Sequence, residues 1–182
     1  MSNIVFIATS LDGYIADKNN EVDWLHTLPL ADDLYMGFEQ HMEKIDALVM
    51  GRNTYELVAS FGIDWPYSKP VFVLSNSLSE IPLKLQEKVS LINGELNDVV
   101  VQLKEKGFDN LYIDGGVTIQ NFLKQDLIDE MIITTIPIVL GGGIPLFGAM
   151  DKSLMFKCIA SHADSSGMSQ QHFMRDTHSD DC

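Results

Sequence analysis

Twice in this chain a short apolar run ends on glycine and passes at once into a helix-like pattern, and this unit limits the possible folds more than any other feature. Residues 47–50 lead through Gly51-Arg52-Asn53 into a helical stretch at 54–60. Residues 111–114 lead through Gly115-Gly116 into 118–127, where Ile119, Phe122, Leu123 and Leu127 share a face. A buried strand followed by a helix that returns along the sheet is the building block of a parallel sheet. The rest of the chain fits the same plan. Residues 4–10 read as a buried strand, turned at Asp12-Gly13 into a short stretch at 14–16 and a polar loop at 17–23. Over 30–45, Leu34, Phe38, Met42 and Ile45 recur at helical spacing, with Asp32 and Asp33 near the start, where carboxylates favour the helix dipole. A strand at 70–75, a helix at 95–106 ended near Gly107 and a long strand at 131–140 follow. After the Gly141-Gly142-Gly143 turn, 154–163 and 168–174 read as an antiparallel pair joined through Ser165-Ser166-Gly167. The expected fold is α/β: a mostly parallel twisted sheet with flanking helices and an antiparallel C-terminal hairpin. One domain is expected over 1–176, with a polar tail at 177–182.

Composition removes several function classes. The apolar runs are interrupted well short of the roughly 20 residues of a membrane span, and the start shows no basic stretch ahead of an apolar one. A cytoplasmic protein with no membrane partner is the expectation. A formal charge of −14 with scattered basic residues repels nucleic acid. Cys158 and Cys182 make no disulfide framework, and the five histidines show no metal-ligand spacing, so no metal is expected.

Three strand ends carry groups suited to phosphate. Gly115-Gly116-Val117-Thr118, between a strand and an amphipathic helix, presents backbone N–H groups and a positive dipole end; the alternative is a tight turn that only needs glycine. The G-x-G-x-x-G dinucleotide fingerprint is absent. Arg52, one of two arginines with Arg175, follows Gly51, and Thr54 adds a hydroxyl; the alternative is a surface arginine paired with an acidic neighbour. Ser75 and Asn76 offer small donors after a third strand, or simply form its turn. Parallel strands bring their carboxyl ends to one side, so these groups converge without being close in sequence.

In this order, Ser10-Leu11-Asp12-Gly13-Tyr14-Ile15-Ala16, Met50-Gly51-Arg52-Asn53-Thr54-Tyr55-Glu56, Asp114-Gly115-Gly116 with Phe122-Leu123, and Pro137-Ile138-Val139-Leu140-Gly141-Gly142-Gly143 resemble the dihydrofolate reductase superfamily over nearly the whole chain. Asp-Gly-Gly and the glycine turn before Pro145 and Phe147 look closer to the reductase domain of the riboflavin-biosynthesis bifunctional deaminase-reductase. The resemblance implies NADPH as cofactor. It places Gly51, Arg52 and Thr54 at the diphosphate, Ser75 and Asn76 near the adenosine 2′-phosphate, and Gly115, Gly116, Val117 and Ile119 in a second phosphate cradle. Ala8, Ile15 and Ala16 then lie beside the nicotinamide, under a loop at 17–23 that closes over it. Trp24 matches an aromatic packed beside the substrate, or is a core tryptophan. Asp33, with Asp32 as the next choice, matches the acidic residue that binds the ring and promotes its protonation, or is a dipole partner. Asp12 has a polar role beside the substrate, or holds its turn.

The function expected from the resemblance is NADPH-dependent reduction of a pyrimidine or pterin-like heterocycle, similar to 5-amino-6-(5-phosphoribosylamino)uracil reductase. Dihydrofolate reduction is one alternative, and a non-catalytic nucleotide-binding module another. A homodimer is expected, with the apolar stretch at 137–147 covered by the partner.

Overall fold

The computed structural model describes residues 2–26, 37–163 and 165–177. In chain order it contains β1 (Ser2–Ser10), β2 (Tyr14–Ala16), α1 (Phe38–Lys44), β3 (Ala47–Gly51), α2 (Arg52–Ser60), β4 (Val71–Leu74), β5 (Val89–Ile92), α3 (Leu96–Glu105), β6 (Asn110–Asp114), α4 (Gly116–Lys124), β7 (Glu130–Ile136), β8 (Ile144–Pro145), β9 (Phe156–Ala163) and β10 (Ser169–Arg175). The main sheet runs β5-β4-β3-β6-β1-β7-β10-β9. Its pairs are parallel from β5 to β7, and β10 then pairs antiparallel with both β7 and β9. β2 and β8 form a separate two-stranded flap.

Burial explains this order. β3 is buried along Ala47–Met50 because helices cover both of its faces, as a central parallel strand requires. On one face, Val99 and Leu103 of α3 and Ile119 and Phe122 of α4 pack on Val5, Val49 and Ile113. On the other, Phe38 and Met42 of α1 and Tyr55 of α2 pack on Leu48, Met50 and Val71. Those of these side chains that are fully buried contribute about 1.5–3 kcal/mol each. Carboxylates fix the register at the amino ends of the strands. Asp46 accepts the amides of Asp109 and Asn110 at 2.9 and 2.8 Å, and Asp129 accepts that of Asn3 at 2.7 Å.

Three sequence expectations are revised. The strand expected over 131–140 stops at Ile136, because Pro137 has no N–H and the amide of Ile138 turns back to the Ile136 carbonyl. β5 was not anticipated, since four residues after a lysine-rich stretch carry too little pattern. Both cleft helices begin earlier than expected, at Arg52 and Gly116. Of the helix expected over 30–45, α1 is the described part. The segment with Asp32 and Asp33 lies outside the described residues, as does most of the tail at 177–182. Among the described residues no helix is long and apolar enough to cross a membrane.

His41 gives a first testable consequence. Its ring is buried, stacked on Phe6 at 4.8 Å and edge-on to Tyr112 at 5.0 Å, and its Nε2 has no hydrogen-bond partner among the described residues. Burial, with Lys44 nearby, lowers its pKa from 6.5 to about 4. The unfolded chain therefore binds the extra proton first as pH falls. His41 should cost stability progressively between pH 6.5 and 4, by on the order of 2–3 kcal/mol in all. Urea midpoints at pH 7 and pH 5 should differ more for the native protein than for His41→Phe; equal differences would contradict this.

Candidate active site

The carboxyl ends of β1, β3, β4, β5 and β6 open on one cleft of about 750 Å³. Its floor is built by two helix starts. Gly51 precedes α2 and Gly115 precedes α4, and neither helix has a side-chain cap among the described residues, so the first N–H groups of two nine-residue helices remain available at the cleft. The two starts interlock. A Cβ on Gly51 would stand 2.9 Å from the Thr118 hydroxyl, and one on Gly115 would fall inside contact distance of the Thr54 hydroxyl. Gly115 also has φ +90°, a conformation that favours glycine. Each glycine is thus replaced in space by the other motif's threonine. A side chain at either place would push the helix starts apart.

The flap forms the roof. Ile15 of β2 and Ile144 of β8 come so close to Gly116 that a Cβ there would stand 2.9 and 3.0 Å from their methyl groups. Asp12 holds this flap. Its carboxylate accepts the Ser10 hydroxyl at 2.7 Å and the amides of Leu140 and Gly141 at 3.0 and 2.8 Å, tying the turn after β1 to the loop before β8. The Ser10 hydroxyl, ahead of the two amides, keeps the Asp12 carboxyl below the ordinary range. Of its two expected roles, the hydrogen bonds of Asp12 are those of the turn holder: it does not line the cleft, and it latches the turn.

Among the expected cofactor residues, Ala8, Ile15, Ala16, Gly51, Arg52, Thr54, Ser75, Asn76, Gly115, Gly116 and Val117 all line this cleft. Ile119 does not. Its side chain is fully buried in the core and its amide bonds the Gly115 carbonyl at 2.9 Å. Trp24 is likewise a core residue, packed with Ile136 and Met168 behind the wall formed by Ala8 and Leu25. Asp33 lies outside the described residues.

The two arginines have separate roles. Arg175 forms a forked pair with Asp126, 2.7 Å through Nε and 3.0 Å through Nη2, and its side chain is buried. Arg52 sits at the cleft, half-exposed. Glu56 accepts its Nε–H at 2.7 Å and Ser77 its Nη1–H at 3.0 Å, which orients the guanidinium while leaving Nη2 without a hydrogen bond among the described residues.

Asp114 was missed as a chemical group, although its strand end was read. It lies at the bottom of the cleft with Oδ1 accepting the Gly115 amide at 2.8 Å, and burial pushes its pKa up to about 6 despite that bond. The Tyr67 hydroxyl, raised first by its own burial and then by the Asp114 charge, stays protonated at the same wall. Trp65 supports Tyr67 at 5.6 Å and leans on Tyr55 at 5.9 Å. Asn93, Gly94 and Glu95, at the unanticipated end of β5, and Lys124 of α4 complete the rim. Burial is what makes Asp114 unusual, and no sequence pattern records it. Among the described residues no group of three or more His, Cys, Asp or Glu is arranged to hold a metal ion.

A parallel sheet with helices on both faces, an antiparallel C-terminal pair and a cleft built from two glycine-led helix starts define an α/β protein of dihydrofolate reductase type. Dihydrofolate reductase from Enterococcus faecalis, complexed with NADP(H), superposes with a TM-score of 0.66 over 96% of each chain at 16% identity, a likeness of fold. Much nearer is the crystal structure of a putative riboflavin biosynthesis protein from Shewanella sp. PV-4, with TM-score 0.93 and 57% identity over 97% of this chain and 99% of that one. The uncharacterized protein YwjB of Bacillus subtilis (strain 168) is 38% identical over 146 residues, 79% of this chain and 81% of that protein. The RibD C-terminal domain family matches residues 3–169, and the chain belongs to that family.

Proposed function

We propose that this RibD-like reductase uses NADPH to reduce a pyrimidine or pterin-like heterocycle, with an aminopyrimidine carrying a ribose phosphate ahead of dihydrofolate as acceptor. The observation that carries the reading is the pair of interlocked, uncapped helix starts at one cleft. Two sets of free amides and two positive dipole ends suit a diphosphate flanked by two nucleosides. The absence of side chains at Gly51 and Gly115 lets Thr118 and Thr54 close the two helix starts against each other, so that their uncapped amides reach one cleft and the residues present fit the cofactor.

NADPH, when bound, would supply a hydride. The amides at 52–54 and 116–118 would hold the diphosphate, and the Arg52 guanidinium would bind a phosphate oxygen. Ile15 and Ala16 of the flap and Ala8 of β1, which line the same cleft, would pack on the ring and exclude water. Asp114 would carry the proton, because burial raises its pKa to about 6 and keeps part of the population protonated at neutral pH.

Arg52→Ala should weaken NADPH binding about 10-fold, on the order of 1–2 kcal/mol, since the lost charge-assisted bond is half-exposed and shared with Glu56. Calorimetric titration checks this, and unchanged affinity would remove Arg52 from the site. The function itself is tested by following NADPH absorbance with a panel of acceptors. Oxidation by the phosphoribosylated aminopyrimidine is expected. Quenching of tryptophan fluorescence with no oxidation by any acceptor would favour a non-catalytic binding module.

A further inference from the structure

Two phenols feel the charge of Asp114 at the bottom of the cleft, and they differ in what their hydroxyls do. Tyr112, two residues earlier on β6, is buried and donates its O–H to the Phe6 carbonyl at 2.8 Å. Tyr67 lines the cleft, and its hydroxyl reaches that cleft without a hydrogen bond to any described residue. A largely buried tyrosine ordinarily finds a partner for its O–H, so this one is completed from the cleft side. Burial and then the Asp114 charge keep the phenol protonated, which makes it a donor.

The ring is also fixed in place. Trp65 meets Tyr67 edge-on at 5.6 Å and leans on buried Tyr55 of α2 at 5.9 Å, so an aromatic row anchored in the core sets where the hydroxyl stands. Packing of this kind preorganises a polar group for a ligand. The surrounding wall suits a flat ring: Leu57 and Val58 of α2, and Phe61 just after it, line the same cleft. Tyr67 belongs to the α1–α2 face of the sheet, whereas α4, with the second helix start, covers the other face.

We infer that Tyr67 is a substrate-binding residue, whose hydroxyl donates to a ring carbonyl of the heterocyclic acceptor and so holds that ring beside Asp114. This rests on the reductase reading above and adds to it the group that selects the ring. A uracil-type aminopyrimidine and a pterin both carry such a carbonyl, the acceptor that a fixed phenol O–H complements. A site built to hydrogen-bond a substrate group discriminates strongly against rings that lack it.

Calorimetric titration of the phosphoribosylated aminopyrimidine and of dihydrofolate into the native protein and into Tyr67→Phe, each saturated with NADP+, tests the role. Phenylalanine keeps the ring and its packing, so the urea midpoint and the affinity for NADP+ should match those of the native protein. Whichever heterocycle the native complex binds should bind Tyr67→Phe about 10-fold more weakly, the effect of one lost hydrogen bond that leaves a carbonyl unpaired. A native complex that takes up neither ring overturns the reductase reading and this inference together. Equal acceptor affinity in both proteins, with NADPH oxidised by the native one, overturns the inference alone, as does a tenfold loss of NADP+ affinity in the variant. Should Tyr67→Phe fail to fold, a crystal structure of the native ternary complex decides. The Tyr67 oxygen should lie at hydrogen-bond distance from a ring carbonyl, and a hydroxyl bonded only to cofactor or water would contradict the assignment.

Discussion

Gly115→Ala should abolish most nucleotide binding, with a loss on the order of 100-fold or more in affinity for NADPH. The added carbon points at the Thr54 hydroxyl and not at open space, so one methyl group acts on both helix starts at once. Backbone strain adds to the clash, because φ at Gly115 is +90°, and the two together should lower stability by about 2–4 kcal/mol. Losing even two charge-assisted bonds from a splayed cradle accounts for the affinity change, at about 1.5–3 kcal/mol each. Gly116→Ala provides the contrast. Its new carbon meets the Ile15 Cδ1 and the Ile144 γ-methyl, with the Pro145 carbonyl behind at 3.6 Å, all of the flap, so the roof must shift while the floor stays intact and the loss should be smaller. Calorimetric titration of both variants, with urea denaturation to confirm folding, makes the comparison. Equal affinities for Gly115→Ala and the native protein would mean that the diphosphate is not held between the two helix starts.

Asp114→Asn should slow reduction on the order of 10²- to 10⁴-fold with little change in NADPH affinity, the size expected when a positioned proton donor is removed. The pH dependence gives the sharper readout. With a pKa near 6, the carboxyl is mostly protonated below that value and loses its proton above it. The single-turnover rate should therefore be level below pH 6 and fall roughly tenfold per unit above about pH 7, whereas the Asn variant should be slow and flat. A native profile flat from pH 5 to 8 would remove Asp114 as the proton source.

The sequence revealed most where physical meaning is local. A strand ending on glycine before an amphipathic helix identifies its own role, and the two such units at 47–60 and 111–127 both open on the cleft. Convergence of Arg52, Ser75 and Gly115 followed from parallel pairing alone. What depends on three-dimensional burial stayed hidden. Ile119 carried two readings, a core-facing helix position from its spacing with Phe122 and Leu123 and a cradle residue from the resemblance, and its buried side chain follows the first; Trp24 was silent about which side of the cleft wall it occupies. Asp12 carries the polarity of a catalytic group, but its partners are amides 128 and 129 residues away, a distance no local pattern spans. Asp114 shows the converse. Its place was legible as a strand end, while its raised pKa comes from the packing around it. β5, and with it the Asn93–Glu95 rim, escaped because Val-Ser-Leu-Ile is too short to stand out without its neighbour β4.

The central claim is that two helix starts share one dinucleotide, and a crystal structure of the protein grown with NADPH tests it most directly. The diphosphate should lie between the amides of 52–54 and those of 116–118, with the nicotinamide ring against Ala8 beneath the Ile15–Ala16 flap. Nucleotide bound at any other surface, or no bound nucleotide at saturating concentration, would contradict it.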